Sequence, residues 1–211
     1  MEVPRSDRRP ASRALLAAAA ASAALAALAI LALDRPLARA IGDYEPSPLW
    51  ARGIDVLEAV IGWPIHPLFA SFTVAALTLA AMAVPRWRAF APAAMFLSAT
   101  HVFSRFATNQ LKDLTGRLRP SEWLARGGDD TFSRDGAAFP SGHVALFASL
   151  ALPIAMRWPR TRPVLAVIAF VAAARIAVNA HFLSDTLASL ALVALVAWAV
   201  SHAVRPFPAR R

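Results

Sequence analysis

Three short groups of charged and polar residues could together carry out chemistry. The first is residues 112–120 (KDLTGRLRP), which places three cations within eight residues. The second is Pro-Ser-Gly-His at residues 140–143, and the third comprises Arg175, His181 and Asp185. The groups supply cations, two histidines and a carboxylate, while the chain contains no cysteine. Such a set is suited to an anion, and the histidine pair indicates chemistry on that anion.

Phosphoryl transfer is a reaction that matches these residue types. It needs positive charge around the phosphate oxygens, a nucleophile in line with the bond that breaks, and an acid for the leaving oxygen. The cations that we expect to neutralise the phosphate are Lys112, Arg119 and Arg175. Gly142 permits close backbone approach at the start of an apolar run, so amides next to Ser141 would point at the anion from a helix N-terminus.

The two histidines have different expected tasks. His181 and Asp185 are four residues apart, which places them on one helical face if the last apolar run begins early. Asp185 can then hold one ring nitrogen while the other attacks phosphorus, and His143 can protonate the departing alkoxide. The alternatives are a membrane-edge histidine at 181 and an Asp185 that caps a helix or forms a structural ion pair with Arg175.

Other polar residues lie close to these groups in the sequence. For Arg117, contact with a lipid headgroup and contact with phosphate are both open. His101 and Arg105 are one helical turn apart and either extend the site inward or, as we favour, form internal hydrogen bonds. The loop 121–139 is polar and is either a mobile lid or a plain flexible connection.

The elements that must position these groups are apolar. Of the 211 residues, 58% are hydrophobic and 17% are charged, and the mean hydropathy is +0.50, unlike a soluble domain of this size. A bilayer core of about 30 Å requires roughly 20 residues of apolar helix. Six runs come near that length: 14–33, 67–84, 89–108, 142–158, 163–180 and 182–203. The sequence therefore predicts an all-α bundle of six transmembrane helices.

The segment 44–63 connects the first two runs. Trp50, Ile54 and Leu57 recur in it at helical spacing, whereas Glu58 falls on another face. This pattern predicts a helix that lies in the outer membrane interface. A loop helix packed on the core is an equally good interpretation.

The distribution of charge predicts the orientation of the bundle. The N-terminal segment, the turns 85–88 and 157–162 and the C-terminal tail are rich in arginine and carry only two acids, which is typical of cytoplasmic segments. We therefore divide the chain into a basic cytoplasmic N-terminus (1–13), a six-helix membrane domain (14–203) and a basic cytoplasmic tail (204–211). All three chemical groups then reach the same outer edge.

The first apolar run has a second interpretation. The arginines before it and the sequence Ala38-Arg39-Ala40 after it resemble a secretory signal with its cleavage site. The run is long for a signal core, and five further runs would in any case keep the protein in the membrane.

The three groups resemble the motifs of the type 2 phosphatidic acid phosphatase superfamily, K-x6-R-P, P-S-G-H and S-R-x5-H-x3-D. Residues 112–120, 140–143 and 175–185 reproduce the residue types, spacings and order. The six apolar runs resemble the core of the integral-membrane branch. The third motif departs from the pattern at Ala174, which replaces a serine and removes a possible hydroxyl contact to phosphate.

The resemblance implies a metal-independent phosphatase that needs no cofactor. His181 would be the nucleophile that forms a phosphohistidine, Asp185 its orienting partner and His143 the general acid. The phosphate-binding residues would be Lys112, Arg119, Ser141, Gly142 and Arg175.

These observations predict an enzyme that hydrolyses a phosphomonoester or pyrophosphate of a lipid at the outer face of a bacterial inner membrane. The substrate candidates are phosphatidic acid, phosphatidylglycerol phosphate, undecaprenyl pyrophosphate and lipid A 1-phosphate. Transfer of the phosphate to an acceptor alcohol and non-catalytic binding or transport of an anionic lipid are the alternatives. Nucleic acid is not an expected partner despite the net charge of +9, because the basic residues lie between apolar runs.

Overall fold

The computed structural model describes residues 8–127, 130–133 and 135–204, excluding the side chains of residues 8–11. Helices make up 78% of the structure, and the described residues contain no strand, so the all-α prediction is confirmed. The α-helices of these residues are α1 (Arg8–Leu28), α2 (Asp34–Gly42), α3 (Pro48–Val60), α4 (Phe69–Ala83), α5 (Ala91–Thr115), α6 (Pro120–Ala125), α7 (Gly142–Arg157), α8 (Leu165–Ala177) and α9 (Leu183–Ala203). Of the predicted terminal segments, residues 1–7 and 205–211 lie outside the described residues.

Two of the described helical stretches are long and apolar enough to be candidate membrane spans. One is Ser12–Gly42, because α1 continues through a π-helical segment, Ala29–Leu33, into α2. The other is α9. Two further apolar helices are shorter, α4 with 15 residues and α7 with 16. The six-span arrangement therefore stays a prediction.

The helices pack around α7. This helix contacts α5, α8 and α9, and α9 also packs along α1. The core side chains of α7, α8 and α9 are buried, with Val144, Val171 and Val193 each 0% exposed. Three of the helices that carry predicted site residues, α7, α8 and α9, therefore also supply side chains of the hydrophobic core.

The helix in the segment between the first two apolar runs packs on the core. The Trp50 ring of α3 lies 5.7 Å from the Phe170 ring of α8, and Ile54 is 6% exposed. A Cβ atom at Gly53 would approach the Phe170 ring to 2.3 Å, so glycine permits the close crossing of the two helices. The structure shows that the helix in residues 44–63 packs on the core, and its position in the outer membrane interface stays a prediction.

Helix α5 is tied to its neighbours by a buried histidine. The Nε2 atom of His101 lies 2.9 Å from the Ser71 hydroxyl of α4, and its Nδ1 atom lies 2.9 Å from the Ser149 hydroxyl of α7. His101 is fully buried and bonds internally rather than facing the site.

The loop after α5 folds back and forms backbone hydrogen bonds with its own first residues. Gly116, in the left-handed conformation with φ of 53°, ends α5. The backbone N–H groups of Leu118 and Ala138 then donate to Thr131 and Arg117 carbonyls, both at 2.8 Å. The loop predicted at 121–139 therefore contains the short helix α6 at its start, and later residues in it are fastened to residues 117 and 118.

Candidate active site

His181 lies in the turn between α8 and α9. The N–H groups of Ala180 and His181 both donate to the Arg175 carbonyl at the end of α8, at 3.1 and 3.2 Å, and Asn179 adopts a left-handed φ of 52°. Asn tolerates this conformation better than most residues, which lets the chain reverse here. The turn places His181 inside the protein, with 3% of its surface exposed.

Asp185 is the partner of His181, but the two do not share a helical face. Helix α9 begins only at Leu183, so His181 precedes the helix and Asp185 sits in its first turn. Asp185 Oδ2 accepts the N–H of Phe182 at 2.8 Å and lies 3.4 Å from His181 Nδ1. The expectation of an i,i+4 pair within the helix is wrong, because the carboxylate caps the helix start and meets the turn from there.

The environment of His181 keeps its ring neutral. Burial lowers the pKa of His181 below the usual 6.5, Asp185 opposes this shift, and the charges of Lys112 and Arg175 add to it. Apart from the contact with Asp185, the ring has no hydrogen bond within the described part of the chain. A neutral, buried imidazole with a free nitrogen is suited to nucleophilic attack.

Three cations from different elements lie within electrostatic range of one another, and two of them, Lys112 and Arg175, also act on His181. Lys112 comes from the last turn of α5, Arg119 from the residue before α6, and Arg175 from the end of α8. Lys112 lies close enough to Arg119 and Arg175 for electrostatic repulsion between them. Arg105 of α5 lies in the same range and, unlike His101, extends the cation cluster inward. The Lys112 ammonium donates to the Ala137 carbonyl. A cluster of cations of this kind is an attractive position for an anion.

Residues 141 and 142 form the start of α7 next to the cations. The Ser141 N–H donates to the Asp185 carbonyl at 3.1 Å, and Ser189 donates its hydroxyl to the Ser141 carbonyl at 2.9 Å. The Ser141 hydroxyl is buried and has no hydrogen-bond partner among the residues that the structure describes. Gly142 lies under Lys112, since a Cβ atom there would be 3.6 Å from Lys112 Cε. An unpartnered hydroxyl and a helix N-terminus both favour an anion.

His143 follows in the first turn of α7 and has a partner that the sequence did not reveal. Its Nε2 atom lies 2.5 Å from Oε1 of Glu58 in α3. The Trp63 ring packs against the imidazole with 5.7 Å between ring centroids. His143 also lies within electrostatic range of Arg175 and His181. It is 19% exposed, so it remains within reach of a bound substrate.

Arg117 contacts neither a headgroup position nor the cation cluster. It is 1% exposed and forms ion pairs with Asp185, at 2.6 Å, and with Asp34, at 2.8 Å. Both open interpretations of Arg117 are therefore replaced by a third, in which it holds the Asp185 carboxylate. Ala174, at the departure from the third motif, is fully buried in α8.

The comparison with known families agrees with this arrangement. The family model of the PAP2 superfamily matches residues 92–208, which is more than half of the chain. The chain belongs to the PAP2 superfamily. The resemblance drawn from the three motifs is thus confirmed. PAP2 proteins are phosphatases that act on phosphate esters, which supports a hydrolase. No curated protein and no solved structure matches the chain.

All the predicted site residues lie inside the PAP2 match, whereas the partner of His143 and one partner of Arg117 do not. Glu58 and Asp34 precede residue 92 and come from helices outside the matched segment. In the sequence, Glu58 is an acid on one face of an amphipathic helix, and Asp34 is an acid at the end of an apolar run. Neither feature identifies the residue that the acid contacts.

Proposed function

We propose that the protein is a membrane lipid phosphatase that works through a phosphohistidine on His181. The observation that carries the proposal is the meeting of the His181–Asp185 pair, His143 and three cations at one end of the helical bundle. This end is formed by the C-terminal ends of α5 and α8 and the N-terminal ends of α7 and α9. It provides each function that phosphoryl transfer requires.

The first half of the reaction forms a P–N bond and breaks the ester P–O bond. Asp185 faces Nδ1 of His181, so the lone pair of Nε2 attacks phosphorus. The leaving oxygen takes a proton from the protonated ring of His143. Glu58 holds Nε2 of His143, which leaves Nδ1 as the nitrogen that gives this proton.

The second half releases the phosphate. Water attacks the phosphohistidine and gives a proton to the now neutral His143, and the P–N bond breaks as electrons return to the His181 ring. The products are the dephosphorylated alcohol and inorganic phosphate, and both histidines return to their starting protonation states. For a pyrophosphate substrate the leaving group is a lipid phosphate instead of an alcohol.

The phosphate oxygens would be neutralised by Lys112, Arg119 and Arg175. Arg side chains offer paired donors that match phosphate oxygens, and Lys acts as a compact charge. The Ser141 hydroxyl and the amides at the start of α7, next to Gly142, supply further donors. The unpartnered state of the Ser141 hydroxyl supports this role.

The exposed apolar faces of the bundle support a membrane location and, with it, a lipid substrate. Large apolar side chains project from the outer faces of α1, α4 and α5, as shown by Leu25, Leu79 and Phe106 at 52%, 67% and 63% exposure. Faces of this kind favour contact with acyl chains. We propose that the chain crosses a bacterial inner membrane six times, with both termini in the cytoplasm and the site facing the periplasm. Phosphatidic acid, phosphatidylglycerol phosphate, undecaprenyl pyrophosphate and lipid A 1-phosphate are the candidate substrates.

The test is phosphate release by the purified protein in detergent with excess EDTA. Each candidate lipid is supplied separately. The H66A variant serves as a matched control, because the exposed His66 accepts the N–H of Leu68 and packs on the Phe72 ring, and neither is a site residue. We expect release from at least one lipid, equal release by H66A, and inhibition by vanadate. Release that occurs only with added magnesium or zinc would overturn the metal-free mechanism. Binding without release from any lipid would identify a binder, and phosphorylation of an added alcohol would identify a transferase.

A further inference from the structure

A network of buried charges lies directly behind the His181–Asp185 pair. Arg117 donates from Nη1 to Asp185 Oδ1 at 2.6 Å and from Nη2 to Asp34 Oδ2 at 2.8 Å. All three side chains are at most 2% exposed. One guanidinium group therefore bridges a carboxylate of α2 and a carboxylate of α9, at distances typical of charge-assisted hydrogen bonds.

Additional donors hold both carboxylates in place. Ser184 donates its backbone N–H to Asp34 Oδ1 at 3.0 Å and its hydroxyl to Asp34 Oδ2. Asp185 Oδ2 accepts the N–H of Phe182 at 2.8 Å. The Arg117 guanidinium also lies 4.3 Å from the centre of the Phe182 ring. Each carboxylate oxygen thus has a donor, and the Asp185 carboxylate cannot rotate without breaking one of these contacts.

This fixed orientation decides which nitrogen of His181 carries the proton. Arg117 occupies Oδ1 of Asp185, so Oδ2 is the oxygen that faces His181 Nδ1, at 3.4 Å. A bare lone pair on Nδ1 would repel the carboxylate, whereas an N–H there is attracted to it. The neutral ring is therefore held with its proton on Nδ1 and its lone pair on Nε2.

We infer that Arg117 and Asp34 are positioning residues that fix the tautomer of His181 through Asp185. Asp34 holds the second amino group of Arg117, so the guanidinium is bonded on both sides and cannot turn away from Asp185. The N-terminal helical stretch that carries Asp34 is thus part of the support of the nucleophile, although it lies outside the PAP2 match. The expected loss of activity rests on the proposed function, whereas the expected tautomer of His181 does not.

The direct test is nitrogen NMR of the full-length protein labelled with 15N-histidine, in detergent at about pH 8, where an unshifted histidine is neutral. The chain has five histidines, so the H181N variant identifies the His181 signals. We expect a protonated Nδ1 and an unprotonated Nε2 in the unmodified protein. R117Q and D34N should show a mixture of the two tautomers, and D185N should show the same change.

A matched control is available on the surface. Arg126 pairs with Asp135 at 3.0 Å, and both side chains are more than half exposed. The R126Q variant therefore loses an Arg–Asp ion pair of the same type without touching Asp185, and its His181 tautomer should not change. If R117Q fails to fold, as judged by helical circular dichroism, R117K carries the test, because a single ammonium cannot bridge both carboxylates as the guanidinium does.

The kinetic readout is the division between kcat and KM. Loss of the correct tautomer should lower kcat by about 10- to 100-fold in R117K and D34N, with KM changed less than about twofold, because the phosphate-binding cations remain. A folded R117K or D34N variant with the original tautomer and an unchanged kcat would overturn the inference. An inactive unmodified protein whose His181 tautomer still depends on Arg117 would instead overturn the proposed function and leave the positioning role standing.

Discussion

Glu58 Oε1 and His143 Nε2 lie 2.5 Å apart and join α3 to the first turn of α7. The two residues are 85 positions apart in the sequence, and each side chain is about one fifth exposed, at 20% and 19%. The contact fixes the orientation of the His143 ring and leaves Nδ1 free to deliver the proton. Glu58 is therefore expected to act through His143 rather than on the substrate.

Replacing Glu58 with Gln should weaken this assistance without removing the hydrogen bond. An amide oxygen can still accept the N–H of His143 but lacks the negative charge. We expect kcat for a lipid alkyl phosphate to fall by about tenfold, within the usual size of a general acid–base contribution. The neighbouring D55N variant, on an exposed position of the same helix, should keep full activity. A wild-type rate in E58Q would remove Glu58 from the mechanism.

Replacing His143 with Asn separates acid catalysis from phosphate binding. A leaving group of low pKa, such as p-nitrophenolate, needs little protonation, whereas a lipid alkoxide needs much. We therefore expect turnover of the lipid alkyl phosphate to fall by about 100-fold or more, and turnover of p-nitrophenyl phosphate to fall far less. The basic limb of the pH–rate profile should also flatten. Equal losses on both substrates would mean that His143 binds phosphate or supports the structure.

Replacing His181 with Ala should abolish turnover while the protein keeps its fold and its affinity for inorganic phosphate, a ground-state phosphate analogue. The cations remain in this variant, and a nucleophile lowers the barrier more than it contributes to ground-state binding. Labelled substrate should give a base-stable, acid-labile phosphoenzyme in the unmodified protein and none in H181A. A residual rate above about a tenth of the original would exclude His181 as the nucleophile.

The pH dependence of kcat/KM should report the buried environment of His181. Burial lowers the pKa of this ring below 6.5, so the neutral nucleophile persists below that pH and the acidic limb should lie there. Asp185 raises the pKa of His181, whereas Lys112 and Arg175 lower it, so D185N should move the acidic limb to still lower pH as well as reduce kcat. The D135N variant, in the exposed pair with Arg126, should leave the limb in place. A D185N limb at higher pH would contradict this account.

The sequence was most informative where chemistry imposes a fixed spacing. The three motifs predicted which family the chain belongs to, and the apolar runs predicted an all-helical fold. The predicted contact between His181 and Asp185 is also present, although its geometry differs from the expected one. Residues four positions apart lie on one face of a helix. The same spacing also relates a turn residue to a carboxylate that caps the following helix. A spacing alone does not distinguish these two geometries.

The partners of the site residues were not predictable in the same way. Glu58 and Asp34 are single acids far from the motifs, and which residue each contacts is decided by how α3 and α2 pack. Arg117 sits among motif residues but points away from the cations, because the turn after Gly116 sends it into the interior. These contacts depend on tertiary packing, for which a local pattern carries no signal.

The buried position of Asp34 has a consequence for how the N-terminus can be processed. Export signals are discarded after cleavage, and the Ala38-Arg39-Ala40 sequence offers a place for such a cut. Cleavage there would remove Asp34 together with the long helix that packs against α9, and Arg117 would keep only one of its two carboxylates. A mature protein trimmed at this point would lose a part of its interior, so the leader-like segment has to be retained for the fold described here to persist.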